Sequence, residues 1–314
     1  MSGVEQHGAS PGAPHGVLVL DKPSGPTSHD VVSRVRWLLR TRAVGHAGTL
    51  DPLATGVLVI GVGEGTKLLS HLSGADKAYV ATLRLGETTD SLDSQGRVTQ
   101  TAPVPALSHD AIAEVLRGFV GAQRQRVPEI SAVRVDGQRL YDRARRGETV
   151  SAPEREVVAH ELELLRVALP ELELRVRCSK GFYVRSLVRD LAQALGSVGH
   201  LTALRRTHSG SFSLQEAAPE HALSGDRELG AALLRERLLP LAAAMRDCAR
   251  AVLNEVGLGH VRHGRPLDAA CFSRCDPLTP GQQPIALLDE TGSLRALGRA
   301  EGERVLIQRG IVQA

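Results

Sequence analysis

Short apolar runs closed by turn-forming residues constrain the fold of this chain more than any other feature of its sequence. The run at 17–20 is stopped by DKPSGP, which is typical of a buried strand that enters a loop. A second apolar run lies at 57–60, within a segment bounded by glycines. Segments 77–85 and 171–178 alternate apolar and polar residues, which predicts strands with one buried face.

Segments with helical periodicity separate these strands. The first predicted helix has Ser28 as its N-cap, and the second covers 108–119. A third helix follows Gly181 and places Arg185 and Arg189 together on a face apart from its apolar stripe. Residues 213–239, rich in Ala, Leu, Glu and Arg, predict a further helical stretch.

This order of elements predicts an α+β fold with a large mixed or antiparallel sheet flanked by helices. Near residue 245 the helical pattern gives way to short apolar runs, such as 284–288 and 304–307, which predict a small β-rich module. We therefore expect a disordered tail at 1–14, a main domain at 15–245 and a C-terminal domain at 246–314. The main domain includes an Arg-rich insertion at about 124–152.

Composition narrows the class of protein. With 42% hydrophobic and 23% charged residues among 314, the chain can bury one large core or two smaller ones. We find no apolar run of eighteen residues and no basic-then-apolar leader, so we expect no membrane span and a cytoplasmic location. The net charge of +3 does not by itself indicate nucleic-acid binding, but arginines cluster at 34–42, 134–146 and 175–189.

The four cysteines are too few and too irregularly spaced for a disulfide framework, and we expect reduced thiols. Cys271 and Cys275 form a C-x3-C pair, but no second Cys or His pair follows at metal spacing. We therefore expect neither a zinc site nor another cofactor.

The loop GHAGTLDPLATG (45–56) is the strongest candidate for chemistry. Its glycines let the backbone approach a ligand closely, and Asp51 precedes Pro52, which restricts the aspartate to extended geometry. A carboxylate held in this way suits a positioned nucleophile or base. An ordinary turn or capping aspartate is the commoner reason for an Asp-Pro pair, so the residues alone leave both interpretations open.

The segment GHAGTLDPLATGVL closely resembles the signature of the TruB family of tRNA pseudouridine synthases. Four further blocks resemble other family segments in the same order, and together they span about residues 16–211: LDKPSGPTSHDVV, GEGTKLL, KAYVATLRLGETTDSLDSQG and KGFYVRSLVRDLAQALG. The resemblance implies a monomeric enzyme that needs no cofactor and isomerises uridine 55 in the T-loop of tRNA to pseudouridine. It also implies that the uridine is flipped into a pocket, and that the C-terminal module is a PUA-like RNA-binding domain.

The resemblance further implies roles for single residues. Asp51 is the expected catalytic carboxylate, and Arg185 is expected to pair with it and keep it ionised in a largely dry pocket. A surface arginine is the alternative for Arg185. Tyr79 matches a tyrosine that lies against the target base and is a candidate for proton handling.

Four other positions are expected to bind substrate. Tyr183 and Leu204 match residues around the uracil, although both could equally be core residues. His46 matches a histidine that fills the space vacated by the flipped bases, so we expect it to contact RNA and not to transfer protons. Lys22, like the arginines of the insertion, is expected to contact phosphates, which provide affinity without sequence information.

Two other functions remain open from the sequence. One is modification of ribosomal RNA, guided or unguided, by the same active-site residues. The other is RNA binding or folding in which catalysis is secondary. Phe182, where many relatives have a small polar residue, and the segment 127–133 depart from the family pattern, and both bear on the shape of the pocket more than on the reaction.

Overall fold

The computed structural model describes residues 14–131, 134–135, 138–139 and 152–312 of the chain. Residues 1–13 of the predicted tail and most of the predicted insertion, including Arg143, Arg145 and Arg146, lie outside the described residues. In the described part no helix is long and apolar enough to cross a membrane.

Helices separate runs of strands in the main domain, as predicted. The strands are β1 (Gly16–Lys22), β2 (Val44–His46), β3 (Thr55–Val62), β4 (Lys77–Leu85), β5 (Glu87–Thr89), β6 (Val98–Thr101), β7 (Gly121–Arg126), β8 (Arg134–Val135), β9 (Gln138–Arg139), β10 (Glu154–Ala168), β11 (Glu171–Cys178), β12 (Gly199–Ser209) and β13 (Phe212–Ser213). The helices are α1 (Ser28–Leu39), α2 (Leu69–Leu72), α3 (His109–Arg117), α4 (Val184–Ala194), α5 (Arg227–Glu236) and α6 (Leu241–Ala244). The alternating segments 77–85 and 171–178 are strands with the predicted bounds.

The central sheet has nine strands in the order β1-β3-β12-β4-β11-β10-β7, with β2 beside β3 and β13 beside β12. All pairs are antiparallel except β3 and β12, which are parallel and meet only at Thr55–Arg205 and Gly56–Arg206. The mixed sheet confirms the predicted fold class. The short parallel joint matters for function, because the loop that carries Asp51 ends where β3 begins.

The N-cap of helix α1 lies one residue earlier than predicted. Its N-cap is Thr27, whose hydroxyl accepts a hydrogen bond from the Asp30 N–H while the Asp30 carboxylate accepts one from the Thr27 N–H. The prediction of Ser28 as N-cap was wrong because the Ser28 hydroxyl has another partner, donating to the Leu50 carbonyl and accepting from the Leu50 N–H. Ser28 therefore ties α1 to the loop immediately before Asp51.

The predicted helical stretch at 213–239 is helical only in part. Helix α5 covers its second half, whereas the first half contains β13 and two short 3-10 turns. Two causes act together: Pro219 cannot donate a helical hydrogen bond, and Ala218 accepts a hydrogen bond from the Asp21 N–H at 3.0 Å and donates one to the Val19 carbonyl at 2.8 Å. The segment is thus tied along β1, and Gly225 with φ of +79° precedes the start of α5.

The end of the chain forms a second sheet, which confirms the predicted β-rich module. It contains β14 (Ala249–Leu253), β15 (Phe272–Cys275), β16 (Ile285–Leu288), β17 (Leu294–Glu301) and β18 (Arg304–Gly310), with α7 (Glu255–Arg262) packed against it. The strand order is β15-β14-β16-β17-β18. One hydrophobic core joins Val17 and Val59 of the central sheet to Leu294 and Leu297 of this module, so the two sheets share buried surface.

Candidate active site

A cavity of about 260 Å³ lies where the Asp51 loop, strands β4 and β12 and the start of α4 meet. The residues that the sequence predicted around the target base all line it: Asp51, Tyr79, Tyr183, Arg185 and Leu204. Its volume lies just below the roughly 300–1,000 Å³ typical of small-molecule pockets. The tertiary structure therefore brings together side chains that are up to about 150 residues apart in the chain.

Arg185 is the centre of the charged part of this site. Its Nε lies 2.9 Å from Asp51 Oδ2, and its Nη1 donates to the carbonyls of Ser91 at 2.7 Å and Ile130 at 3.1 Å. Only 4% of the residue is exposed, so the alternative of a surface arginine is wrong. Its Nε–H makes no well-aligned hydrogen bond, and the contact with the partly exposed Asp51 is an ion pair.

Asp93 is a second carboxylate near this arginine, and the sequence did not single it out. Its Oδ2 lies 4.0 Å from Arg185 Nη1, and its Oδ1 accepts hydrogen bonds from the Ser91 hydroxyl at 2.7 Å and the Gln95 N–H at 3.0 Å. Asp93 is buried, and Leu92 beside it has φ of +63°. The signal in the sequence was its place in the block GETTDSLDSQG, which the resemblance covered without separating Asp93 from its neighbours.

Arg206 holds both ends of the Asp51 loop. Its Nε donates to the Val57 carbonyl at 2.6 Å, and its terminal nitrogens donate to the carbonyls of Gly48 at 3.1 Å and Thr49 at 3.4 Å. It is 1% exposed, whereas Arg205 points to the other face and pairs with Asp21 at 2.7 Å. The two arginines are neighbours on β12, so strand alternation sends them to opposite faces, but it does not tell which of them faces the loop.

Lys22 corrects one expectation. The residue is fully buried, and its Nζ donates to the carbonyls of Pro23 at 2.7 Å, Pro52 at 3.3 Å and Ala54 at 2.8 Å. Burial lowers its pKa to about 8, against the opposite influence of the nearby Asp51. An ammonium group enclosed by three carbonyls does not reach the surface, so Lys22 supports the loop after Asp51 and does not contact phosphates in this structure.

The two tyrosines and Leu204 form the less polar part of the cavity. Burial raises the pKa of Tyr79, while the nearby Arg206 guanidinium acts in the opposite direction. Burial also raises the pKa of Tyr183, whose backbone N–H donates to Gln125 Oε1 at 3.0 Å. Both phenols are therefore neutral near pH 7, with ring surface available for stacking on a base.

His46 lies apart from this cavity, at the end of β2. Burial, followed by the charges of Arg206 and His29, lowers its pKa, so the imidazole is neutral at pH 7. Its Nδ1 is buried and makes no hydrogen bond to the described residues. A neutral ring outside the cavity lining is consistent with a contact to RNA, which remains a prediction.

Within the described residues, no group of three or more His, Cys, Asp or Glu side chains could hold a metal ion. The C-x3-C pair is split between two environments, since Cys271 is buried and Cys275 is exposed. The thiol of Cys271 lies 3.6 Å from His260 Nδ1, but that nitrogen is also 2.8 Å from the Pro266 carbonyl.

Comparison with known sequences places the chain in a family. Residues 36–184 match the N-terminal domain model of the TruB family pseudouridylate synthases, and 185–246 match the model of the tRNA pseudouridylate synthase B C-terminal domain. The chain is 42% identical over 289 residues to tRNA pseudouridine synthase B of Xanthomonas campestris pv. campestris (strain B100), covering 92% of this chain and 91% of that protein. It is 39% identical to the protein of the same name from Corynebacterium glutamicum (strain R), covering 90% and 95%.

Solved structures with a similar fold include a chain of an H/ACA RNP bound to a substrate RNA containing 2′-deoxyuridine. Its TM-score is 0.72 at 24% identity, with 95% of this chain and 86% of that chain covered. A chain of a Cbf5–Nop10–Gar1 complex also has a TM-score of 0.72 at 24% identity, covering 98% and 92%. These similarities show the fold, whereas the matches in sequence show the relationship: this chain belongs to the TruB family of pseudouridylate synthases.

Proposed function

We propose that this protein isomerises uridine 55 in the T-loop of tRNA to pseudouridine. The single observation that carries the proposal is the Asp51–Arg185 ion pair at 2.9 Å in the wall of a cavity that also contains two tyrosine rings and Leu204. The cavity suits one base and its sugar. The relatives named tRNA pseudouridine synthase B support tRNA as the substrate.

The reaction follows from the arrangement of these side chains. The uridine is flipped from its stack into the cavity, where the base lies against Tyr79, Tyr183 and Leu204. Asp51, positioned by its ion pair with Arg185, promotes cleavage of the N1–C1′ bond at the sugar. The uracil then turns within the closed space and bonds to C1′ through C5, without a redox or group-transfer partner.

The remaining parts of the chain have proposed roles as well. We assign the main domain to 15–245, with an insertion at about 124–152 that grips RNA, and the C-terminal module at 246–314 to PUA-like RNA binding. His46 contacts the RNA near the space left by the flipped base. We further propose that the protein works in the cytoplasm as a monomer and needs no cofactor.

The test is to incubate purified protein with an unmodified tRNA transcript, without added cofactor, and to map pseudouridine at nucleotide resolution. Asp51→Asn keeps the size of the side chain but loses the charge that pairs with Arg185. We expect product at the T-loop uridine with the wild type and none with the variant, while tRNA affinity changes little. Product from the variant would refute the role of Asp51, and tight tRNA binding without product from the wild type would favour an RNA-folding protein.

A further inference from the structure

Two buried cations in the cavity wall, Lys77 and Arg206, have no role in the steps described above. Lys77 is 7% exposed and Arg206 is 1% exposed, and both line the cavity. Among the described residues neither lies within 4.0 Å of a carboxylate, in contrast to Arg185. Buried charge without an ionic partner is costly, so its presence in an active site calls for a functional explanation.

The two cations lie side by side behind the Asp51 loop. Gly48 has φ of +107°, and a Cβ placed on it would lie 3.7 Å from Arg206 Nη1 and 3.8 Å from Lys77 Cε. Both side chains thus come within 4 Å of one point on the loop. The absence of a side chain at Gly48 leaves the space next to both cations open.

Both groups are fixed by backbone carbonyls but keep donors to spare. An arginine has five N–H groups, and Arg206 uses three of them on Val57, Gly48 and Thr49. A lysine has three, and Lys77 uses two of them, on the carbonyls of Ser73 at 2.7 Å and Ala75 at 2.6 Å. Donors fixed in advance in a site that excludes water stabilise charge that develops during a reaction.

The proposed reaction generates negative charge on the base. When the N1–C1′ bond breaks, its electron pair stays on uracil, as an anion spread over N1, O2 and O4. C1′ is then short of an electron pair. It gains one by bonding to the Asp51 carboxylate or, when the C2′ proton is lost, by forming a double bond with C2′. After rotation, the electron pair at C5 forms the C5–C1′ bond. In the first route the Asp51 carboxylate leaves C1′ as this bond forms, and in the second C2′ regains a proton. The proton of C5 is then lost and N1 is protonated.

We infer that Lys77 and Arg206 form a cationic wall that stabilises the uracil anion while it is detached from the sugar. This inference rests on the proposed function. In the proposed reaction the flipped base enters the cavity that Lys77 and Arg206 line, beside Asp51. The positive charge of the wall therefore lies where the leaving base gains its negative charge.

The test uses a substrate with a better leaving group. In single-turnover reactions, wild-type protein and Lys77→Gln are given tRNA with uridine or with 5-fluorouridine at the target position. Loss of the starting nucleoside is followed by liquid chromatography of the digested RNA, because rearrangement itself does not change the mass. With 5-fluorouridine the reaction is followed to the C5–C1′ bond, since C5 carries no proton to lose. Loss of one charge-stabilising donor costs about 10²–10³-fold in rate. We expect a loss of this order with uridine and a clearly smaller loss with 5-fluorouridine, because the fluorine itself stabilises the anion.

Three variants complete the test. Lys77→Arg keeps the charge and should recover most of the uridine rate, and Arg206→Lys tests the second cation while keeping its charge near the loop. Arg84→Gln removes an exposed cation at the other end of the same strand and should leave both rates unchanged. Melting temperatures and tRNA affinities are measured for each, so that a damaged fold is recognised.

The outcomes are distinct. An equal loss on both substrates would overturn the inference and make Lys77 a structural residue. A change in tRNA affinity with unchanged single-turnover rates would show a phosphate contact and would also overturn it. A wild-type protein that converts neither substrate would refute the proposed function itself.

Discussion

Replacing Gly56 with alanine tests whether the parallel joint between β3 and β12 holds the active site together. Gly56 has φ of +100°, and a Cβ on it would lie 2.2 Å from the carbonyl oxygen and 2.9 Å from the nitrogen of Arg206. These are backbone atoms, so they cannot turn away as the end of a side chain could. The alanine must push the two strands apart at one of only two positions where they pair.

The expected cost has two parts. A residue other than glycine at this φ costs roughly 1–3 kcal/mol in backbone strain. Overpacking against rigid neighbours adds about 1–3 kcal/mol. A suitable control is Gly121→Ala, because Gly121 has φ of +106° and a Cβ added to it would meet nothing within 4 Å, so this variant should show the strain alone.

The measurement is urea unfolding of the two variants and the wild type, together with pseudouridine formation. We expect Gly56→Ala to lose about 1–3 kcal/mol more than Gly121→Ala. It should also lose activity in its folded fraction, because moving β12 shifts the donors of Arg206 away from Gly48 and Thr49. Equal losses of stability, or full activity in Gly56→Ala, would refute this account of the joint.

Two further predictions concern the buried cations that support the Asp51 loop. Arg185→Lys keeps the charge, but a lysine cannot contact Asp51, Ser91 and Ile130 together. We therefore expect activity to fall about 100-fold or more, with a lower melting temperature. Turnover equal to that of the wild type would contradict this expectation. Burial lowers the pKa of Lys22 from 10.5 to about 8. Between these two pH values the unfolded chain still holds the Lys22 proton, whereas the folded chain has released it. The contribution of Lys22 to the free energy of unfolding therefore rises with pH. The free energy of unfolding of the wild type relative to Lys22→Met should therefore increase by about 3 kcal/mol from pH 8 to pH 10.5. A constant difference in denaturation experiments would show that folding does not lower the pKa of Lys22.

Local sequence determined the elements with strong periodicity. The alternation at 77–85 and 171–178 defined both strands because a strand with one buried face needs apolar residues at every second position. The glycine-rich loop with Asp51 before Pro52, together with the family resemblance, pointed to the site. These patterns depend on neighbours in the chain, and they can be read without knowing the fold.

Where local propensity and long-range pairing disagreed, the long-range contact decided. The segment at 213–222 is rich in Ala and Glu, but Pro219 and the hydrogen bonds of Ala218 to β1 keep it in other conformations. Ser28 is a good N-cap residue, yet its hydroxyl serves Leu50, and Thr27 caps the helix instead. In both cases a partner distant in sequence offers hydrogen bonds that the local helix would not supply.

The charged residues of the site separate most clearly what the sequence determined from what the tertiary structure decided. The sequence determined that Asp51 and Arg185 belong together, but only through the resemblance, since they are 134 residues apart by number. It could not determine that Lys22 turns inward to three carbonyls, that Asp93 lies 4.0 Å from Arg185, or that Arg206 rather than Arg205 faces the loop. Burial and ion pairing depend on which strands lie side by side, and only the tertiary structure decides that.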